Sequence, residues 1–122
     1  MNTHLQHQIN HWLNKDPDPK TRAQLQALID SNNETELAAR FAGRLAFGTA
    51  GLRGEVGVGP MAMNRLVIRQ TTAGLGAYLL EQINNAAERG VVIGYDGRHD
   101  SYDFAHDAAS VLTAMGINVY LT

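Results

Sequence analysis

The sequence predicts an α/β fold in which a helical amino-terminal segment precedes a sheet with a parallel β-α-β unit. Residues 1–43 are polar and carry apolar side chains at helical spacing, whereas from residue 44 glycine-rich loops alternate with short apolar runs. Two of these runs, at 91–95 and 117–121, stand about 20 residues apart, enough for the helical crossover that joins parallel strands. We therefore expect a helical collar over 1–43 and a partial α/β domain over 44–122.

Three helices are predicted in the collar. Leucine, isoleucine and tryptophan recur at helical spacing and predict an amphipathic helix over residues 4–14. Asp18 is expected to cap the second helix, with Pro19 at its first position. The third helix is expected to begin at Asn33, within a capping box, and to end at Gly43 as its C′ glycine.

The first half of the α/β domain contains a glycine-rich loop between a strand and a long helix. Residues 45–47 predict a short strand that enters the loop Gly48–Gly59. Asn64 can cap a helix that continues to about residue 85. Gly74 and Gly76 lie inside this helix and are tolerable there if another element packs closely against them.

The second half contains the predicted β-α-β unit. The compact apolar run Val91–Ile93 is typical of a strand that is buried on both faces. Asp100 or Ser101 can cap a helix over about 102–115, and Gly116 ends it. Residues 117–121 then form the next strand.

Composition excludes several classes of function. The 122 residues are 44% hydrophobic and 18% charged, with a net charge of -2, so no basic surface for nucleic acid or an anionic membrane is expected. The absence of cysteine excludes disulfides and thiol chemistry and fits a reducing compartment. The amino terminus has no apolar run long enough for a signal peptide or a membrane span. We expect a cytoplasmic protein without nucleic-acid or membrane partners.

Two loops carry the residue types of an anion site. The first, GTAGLRGEVGVG, offers glycine backbone N–H groups such as that of Gly51, the Thr49 hydroxyl and the Arg53 guanidinium. The second, GYDGRHDS, adds Arg98. Arginine matches a phosphate bidentately, and glycine lets the backbone approach it closely. The loop lacks the P-loop and dinucleotide-binding patterns, so the alternative that its glycines serve only positive φ stays open.

Metal binding is the weaker interpretation of the polar clusters. His7 and His11 stand four residues apart and could chelate a metal, but an exposed helix face also explains them. Asp100 and Asp103 could join a metal cluster at a helix start, where capping and dipole interactions are the alternative.

Three segments in combination resemble the first domain of the phosphohexomutase superfamily. They are FGTAGLRG, GPMAMNRLVIRQTTAGLGAYL and VVIGYDGRHDSYDFAHDAASVLTAMGINVYLT. The resemblance is greatest to the branch that contains phosphoglucomutase/phosphomannomutase and phosphopentomutase-like enzymes. It implies an isomerase of carbohydrate metabolism that moves a phosphoryl group between the 1- and 6-positions of glucose or mannose through a phosphoserine. It also implies a sugar 1,6-bisphosphate activator and Mg²⁺ held by a loop of the second domain.

The resemblance also assigns roles to four residues. Arg53 matches a catalytic arginine that lines the cleft near the phosphoserine. Thr49 and Gly51 match the loop around it, and Arg98 matches a recurring arginine of the first βα loop, so all four are expected to bind the phosphate of the substrate. The serine loop and the metal-binding loop of the family are absent from these 122 residues, which contain no metal ligands. The chain alone is therefore expected to be inactive.

A free-standing α/β module that binds an anion or a partner is the alternative function. The chain stops at the end of an apolar strand, which favours an amino-terminal part of a mutase over a module. If it is such a part, we expect it to self-associate through surfaces that would be covered in the parent.

Overall fold

The structure of the chain, a computed structural model, describes residues 2–48, 51–52, 54–98 and 100–122. Over these residues it forms six helices and four short strands, which confirms the predicted α/β class. The chain divides into two compact units, Met1–Val67 and Ile68–Thr122, and each is described by itself. No helix among the described residues is both long and apolar enough to span a membrane.

Three helices begin the first unit, and local capping sets their starts. They are α1 (Thr3–Lys15), α2 (Pro19–Asp30) and α3 (Glu34–Arg40). The Asp18 carboxylate accepts the N–H of Lys20, with Pro19 at the first helical position as predicted. The Asn33 side chain accepts the N–H of Glu36, so the predicted start of the third helix is confirmed. The predicted capping box is only half formed, because the Asn33 N–H donates to the Leu28 carbonyl and the Glu36 carboxylate pairs with Arg40.

The predicted end of the third helix is wrong. The helix ends at Arg40 with Phe41 as its C-cap, before Gly43. The Phe41 ring is buried and meets the Trp12 ring edge to face, with the centroids 6.0 Å apart. The Phe41 backbone has left the helical conformation, with φ -111° and ψ 12°, so the C′ position falls on Ala42, one residue before Gly43.

The core of the first unit lies between these helices and the start of the fourth. Its buried members are Ile9, Trp12, Leu25, Leu37, Phe41, Val58, Leu66 and Val67. Each such side chain contributes about 1.5–3 kcal/mol by leaving water. Because Val58 belongs to the glycine-rich segment, the core also fixes one point of that segment.

A short hairpin leads into the glycine-rich segment. Its strands are β1 (Phe47–Gly48) and β2 (Gly51–Leu52), paired antiparallel with Phe47 opposite Leu52 and Gly48 opposite Gly51. The strand predicted at 45–47 thus begins two residues later. Leu45 instead donates its backbone N–H to the carbonyl of Pro60 over 2.9 Å, which ties the start of the hairpin to the end of the glycine-rich segment.

The long helix α4 (Arg65–Gln82) begins where the sequence predicts and ends earlier. Its start is capped by Asn64, whose Oδ1 accepts the N–H of Val67 over 2.9 Å. Asn85 adopts a left-handed backbone with φ 61°, so the helix cannot continue to 85, and the short helix α5 (Ala86–Arg89) follows.

The second unit contains the predicted parallel β-α-β arrangement. Strands β3 (Val91–Ile93) and β4 (Val119–Leu121) pair in parallel with Val91 opposite Val119, and α6 (Ser101–Ala114) connects them. Gly116, with φ 82°, follows the end of α6 as predicted.

The prediction that β3 is buried on both faces is wrong. Val92 is 69% exposed, and Tyr120, its partner in β4, is 54% exposed. In the part of the chain that is described, this sheet has two strands. Helix α6 contacts β4, and strand alternation places Val92 on the face opposite to Val91 and Ile93. An apolar strand is buried on both faces only when elements cover both faces of its sheet.

Candidate functional site

The glycine-rich loop is the first candidate site, and the structure describes it in part. Thr49 and Arg53, two of the predicted phosphate ligands, lie outside the described residues, and their roles remain predictions. Gly51, the third, lies in β2 opposite Gly48. The segment from Gly54 to Pro60, which follows Arg53 directly, is described throughout.

Backbone hydrogen bonds hold this following segment against the start of α4. The N–H of Gly57 donates to the carbonyl of Met63 over 3.0 Å, and the N–H of Met63 donates to the carbonyl of Glu55 over 2.7 Å. Val56 and Met63 form a parallel bridge. The segment therefore has a defined path, although it belongs to no regular sheet.

The buried side chain of Asn64 makes three hydrogen bonds at this place. Its Nδ2 donates to the carbonyl of Gly57 over 2.9 Å and to that of Gly59 over 2.8 Å, while its Oδ1 caps α4. Asn64 is 1% exposed. The sequence identified the cap but not the two bonds to the loop, because a cap is a local signal and the carbonyl partners depend on the path of the loop.

The backbone conformation at position 59 requires glycine, which confirms for this position the interpretation that the loop glycines serve positive φ. Its φ is 92°, and a Cβ atom would lie 2.8 Å from the carbonyl oxygen of Arg40. Arg40 also donates from Nη1 to the carbonyl of Val58 over 3.3 Å and pairs with Glu36 through Nε over 2.8 Å. Arg40 thus supports the loop from α3, a role that nothing in its local sequence indicates.

The second candidate loop follows β3 and carries Arg98. The Arg98 Nε lies 2.8 Å from Asp96 Oδ2, and the Arg98 backbone N–H donates to Asp96 Oδ1 over 3.0 Å. The side chain of Arg98 is nevertheless 86% exposed. The pKa of Asp96 is lowered mainly by its hydrogen bond from the Arg98 backbone N–H. The Arg98 guanidinium and the Ser101 hydroxyl lower it further. Asp96 therefore stays ionised at neutral pH and pairs with an Arg98 side chain that is largely exposed to solvent.

An aromatic cluster flanks this second loop. Tyr95 meets the ring of Tyr102 edge to face at 5.5 Å, and His106 lies over Tyr102 with the ring centroids 3.9 Å apart. His106 Nδ1 lies 2.9 Å from the Tyr102 carbonyl, so this nitrogen carries the proton and donates. The cluster packs the start of α6 against the loop.

The remaining polar clusters favour structural roles. Arg69 pairs with the buried Asp107 through Nη2 over 2.9 Å, which links α4 to α6. Asp100 occupies the N-cap position of α6 with φ 70°, but its side chain makes no capping bond, so the predicted side-chain cap by Asp100 is wrong. Among the residues that the structure describes, no group of three histidine, cysteine, aspartate or glutamate side chains could hold a metal ion.

Comparison with known protein families assigns the chain. The family model for phosphoglucomutase/phosphomannomutase, alpha/beta/alpha domain I, matches residues 44–122. The chain belongs to this family. Within the phosphohexomutases, the β-α-β unit and both glycine-containing loops thus lie in domain I.

Full-length relatives match across nearly the whole chain. A probable phosphoribomutase of Schizosaccharomyces pombe is 39% identical over 95% of the chain. A phosphopentomutase and a glucose 1,6-bisphosphate synthase of Mus musculus are each 39% identical, over 99% and 93% of the chain. A phosphoglucomutase of Staphylococcus haemolyticus is 42% identical over 78% of it.

The chain is much shorter than these relatives. It covers 20% of the length of the phosphoribomutase and the phosphopentomutase, 19% of the bisphosphate synthase and 17% of the phosphoglucomutase. No solved structure matches it.

Proposed function

We propose that this chain is the amino-terminal part of a sugar-phosphate mutase that transfers a phosphoryl group within its substrate through a phosphoserine outside these 122 residues. The observation that carries the proposal is the match of domain I to residues 44–122, together with relatives that align over 93–99% of the chain. The names of these relatives refer to different sugars, but each name refers to a phosphorylated sugar. The proposed substrate class is therefore a sugar monophosphate such as glucose or mannose 1-phosphate.

This chain would contribute arginine side chains and backbone N–H groups that bind phosphate. Phosphoryl transfer is catalysed mainly by positioning and by charge matched to the phosphoryl oxygens. Arg53 would supply such a charge at the mouth of the glycine loop, with Thr49 and Gly51 beside it. The Asp96–Arg98 pair supports a second contact, because Asp96 fixes the guanidinium and leaves it exposed to solvent.

The proposed reaction consists of two transfers. In the first, the bond from phosphorus to the serine Oγ breaks and a bond from phosphorus to a sugar hydroxyl oxygen forms. The hydroxyl proton passes to a base, and the serine oxygen takes up a proton. The bisphosphorylated sugar then reorients. In the second transfer, its other phosphoryl group returns to the serine, whose hydroxyl gives up its proton, and the sugar oxygen that it leaves takes up a proton. Arg53 would stabilise the charge of the phosphoryl oxygens in both transfers.

Mg²⁺ is expected in the whole enzyme, where it would balance the negative charge of the phosphoryl group. Among the described residues, no group of three or more histidine, cysteine, aspartate or glutamate side chains could hold it. The part proposed for this chain is that of the arginines and the loop.

Replacement of Arg53 in a full-length protein tests the proposal. We expect Arg53→Ala to lower kcat about a hundredfold or more, the scale of one lost charged contact to the transition state. Arg53→Lys should recover part of the loss, because a point charge does not reproduce the guanidinium fork. Arg22→Ala is the control, since Arg22 lies exposed on α2.

The isolated chain provides a second arm of the same experiment. With glucose 1-phosphate, the bisphosphate activator and Mg²⁺, the 122 residues should show no turnover, because they lack the nucleophile. Full activity of Arg53→Ala, or turnover by the isolated chain freed of host mutase, would contradict the proposal. Loss of the thermal transition in Arg53→Ala would instead assign Arg53 a structural role.

A further inference from the structure

Asn64 uses more hydrogen-bonding capacity than its capping role requires. A helix cap needs one acceptor, and Oδ1 provides it to the N–H of Val67 over 2.9 Å. Both bonds from Nδ2 go instead to the carbonyls of Gly57 and Gly59. These two bonds serve the loop and contribute nothing to the cap.

The chemistry of the side chain separates the two roles. Asparagine and aspartate cap helices about equally well, but an ionised aspartate has no donor. A carboxylate at this position would face the two carbonyl oxygens and could donate a hydrogen bond to neither. Because the position is only 1% exposed, water could not replace the lost hydrogen bonds. The need for asparagine at this position thus arises from the loop.

The loop carbonyls bound by Asn64 lie a few residues after Arg53. Gly57 is also held by the backbone of Met63, and Val58 is held by Arg40. The Asn64 side chain bonds this segment to the first turn of α4.

We infer that Asn64 is a positioning residue that orders residues 54–60 of the glycine-rich loop through the carbonyls of Gly57 and Gly59. The inference rests on the proposed function for its effect on catalysis. Its structural part, that the donors of Asn64 order residues 54–60, does not depend on that function.

The test is Asn64→Asp, which keeps the size of the side chain and the cap acceptor and removes the donors. In the full-length enzyme we expect kcat to fall about tenfold to a hundredfold, the cost of a small misplacement of a catalytic group. Amide hydrogen exchange in residues 54–60 should accelerate, while that of the middle of α4 should stay unchanged.

The pH profile separates positioning from a general loss of structure. Burial and the two carbonyls raise the pKa of the introduced carboxyl, and its protonated form can donate one hydrogen bond. Arg40, the charged group that contacts the same loop from α3, opposes this shift but is paired with Glu36. The ratio of variant to wild-type activity should therefore rise as the pH falls. Circular dichroism at each pH shows whether the variant stays folded, and a flat ratio in a folded variant would contradict the loss of the donors as the cause.

Asn33→Asp is the matched control. Asn33 is an exposed cap whose side chain accepts the N–H of Glu36 over 3.3 Å, so the same chemical change should leave loop exchange and activity unaltered. If Asn64→Asp does not fold, Asn64→Ser replaces it, since its shorter hydroxyl still caps a helix but cannot reach both carbonyls.

The outcomes distinguish the two proposals. Unchanged exchange in residues 54–60 in the folded variant overturns the positioning role, whatever Arg53 does. Faster exchange with an unaltered kcat, in an enzyme where Arg53→Ala is inactive, also overturns it. Faster exchange in an enzyme where Arg53→Ala is fully active upholds the ordering of the loop by Asn64 and refutes the function proposed for Arg53.

Discussion

Asp96 and Arg98 form an exposed ion pair whose geometry the local chain dictates. The carboxylate accepts both the backbone N–H and the guanidinium of a residue two positions later. The lowered pKa of Asp96 means that the pair forms at pH values above the ordinary 3.8 and is lost as the pH falls through the lowered value. A phosphate ligand would therefore meet Arg98 in the same orientation throughout the neutral range.

We expect Arg98→Ala to raise the pKa of Asp96 while leaving it below 3.8. The substitution removes the guanidinium but keeps the backbone N–H, which is the main cause of the shift. Carboxyl-carbon NMR of the isolated chain, titrated with acid, measures this pKa. Arg89→Ala is the control and should change nothing. A pKa of Asp96 that does not move in Arg98→Ala would show that the guanidinium does not contact the carboxylate in solution.

Helix α4 contains two glycines in different environments. A Cβ atom on Gly74 would meet nothing within 4 Å, whereas one on Gly76 would lie 2.7 Å from the Met115 Sδ and 3.1 Å from Leu112 Cδ2. In the sequence, both glycines were tolerable on the condition that another element packs closely against them. Only Gly76 has one, because α6 packs against that side of the helix.

The two glycines give a matched pair of variants. Gly74→Ala should raise the free energy of unfolding by about 1 kcal/mol, the difference in helix propensity. Gly76→Ala gains the same propensity but must displace Met115 and Leu112, so we expect it to be less stable than Gly74→Ala by about 1–3 kcal/mol. Urea denaturation followed by circular dichroism compares them. Equal stabilities would mean that α6 does not pack against Gly76.

At the scale of the molecule, exposed apolar surface predicts association. Val92 and Tyr120 are neighbours in the parallel pair and are 69% and 54% exposed. Such side chains on an open sheet favour contact with another surface. We therefore expect the 13.3 kDa chain to form dimers or larger species as its concentration rises.

Light scattering coupled to size exclusion measures this association. The double substitution Val92→Lys and Tyr120→Lys should shift the mass toward the monomer, because two charges oppose burial of this face. Thr113→Lys, on the exposed side of α6, is the control with the same type of change. A wild-type chain that stays at 13.3 kDa at every concentration would contradict the prediction.

The sequence alone determined what depends on neighbours along the chain. The caps at Asp18, Asn33 and Asn64 and the glycine stop at Gly116 are set by bonds or backbone angles within a few residues, and each lies where the sequence places it. The parallel pairing followed from two apolar runs and the length of the crossover. The family resemblance came from motifs of the same local kind, and the comparison confirmed it.

The tertiary structure decided what depends on partners distant in sequence. The Phe41 ring is buried because the fold brings it against Trp12, and Val92 is exposed because no described element covers its face. The donors of Asn64 are committed to Gly57 and Gly59 only once the loop has turned back on the helix. An amide side chain specifies that it needs partners, but the path of the remaining chain determines which carbonyls arrive within 3 Å of it.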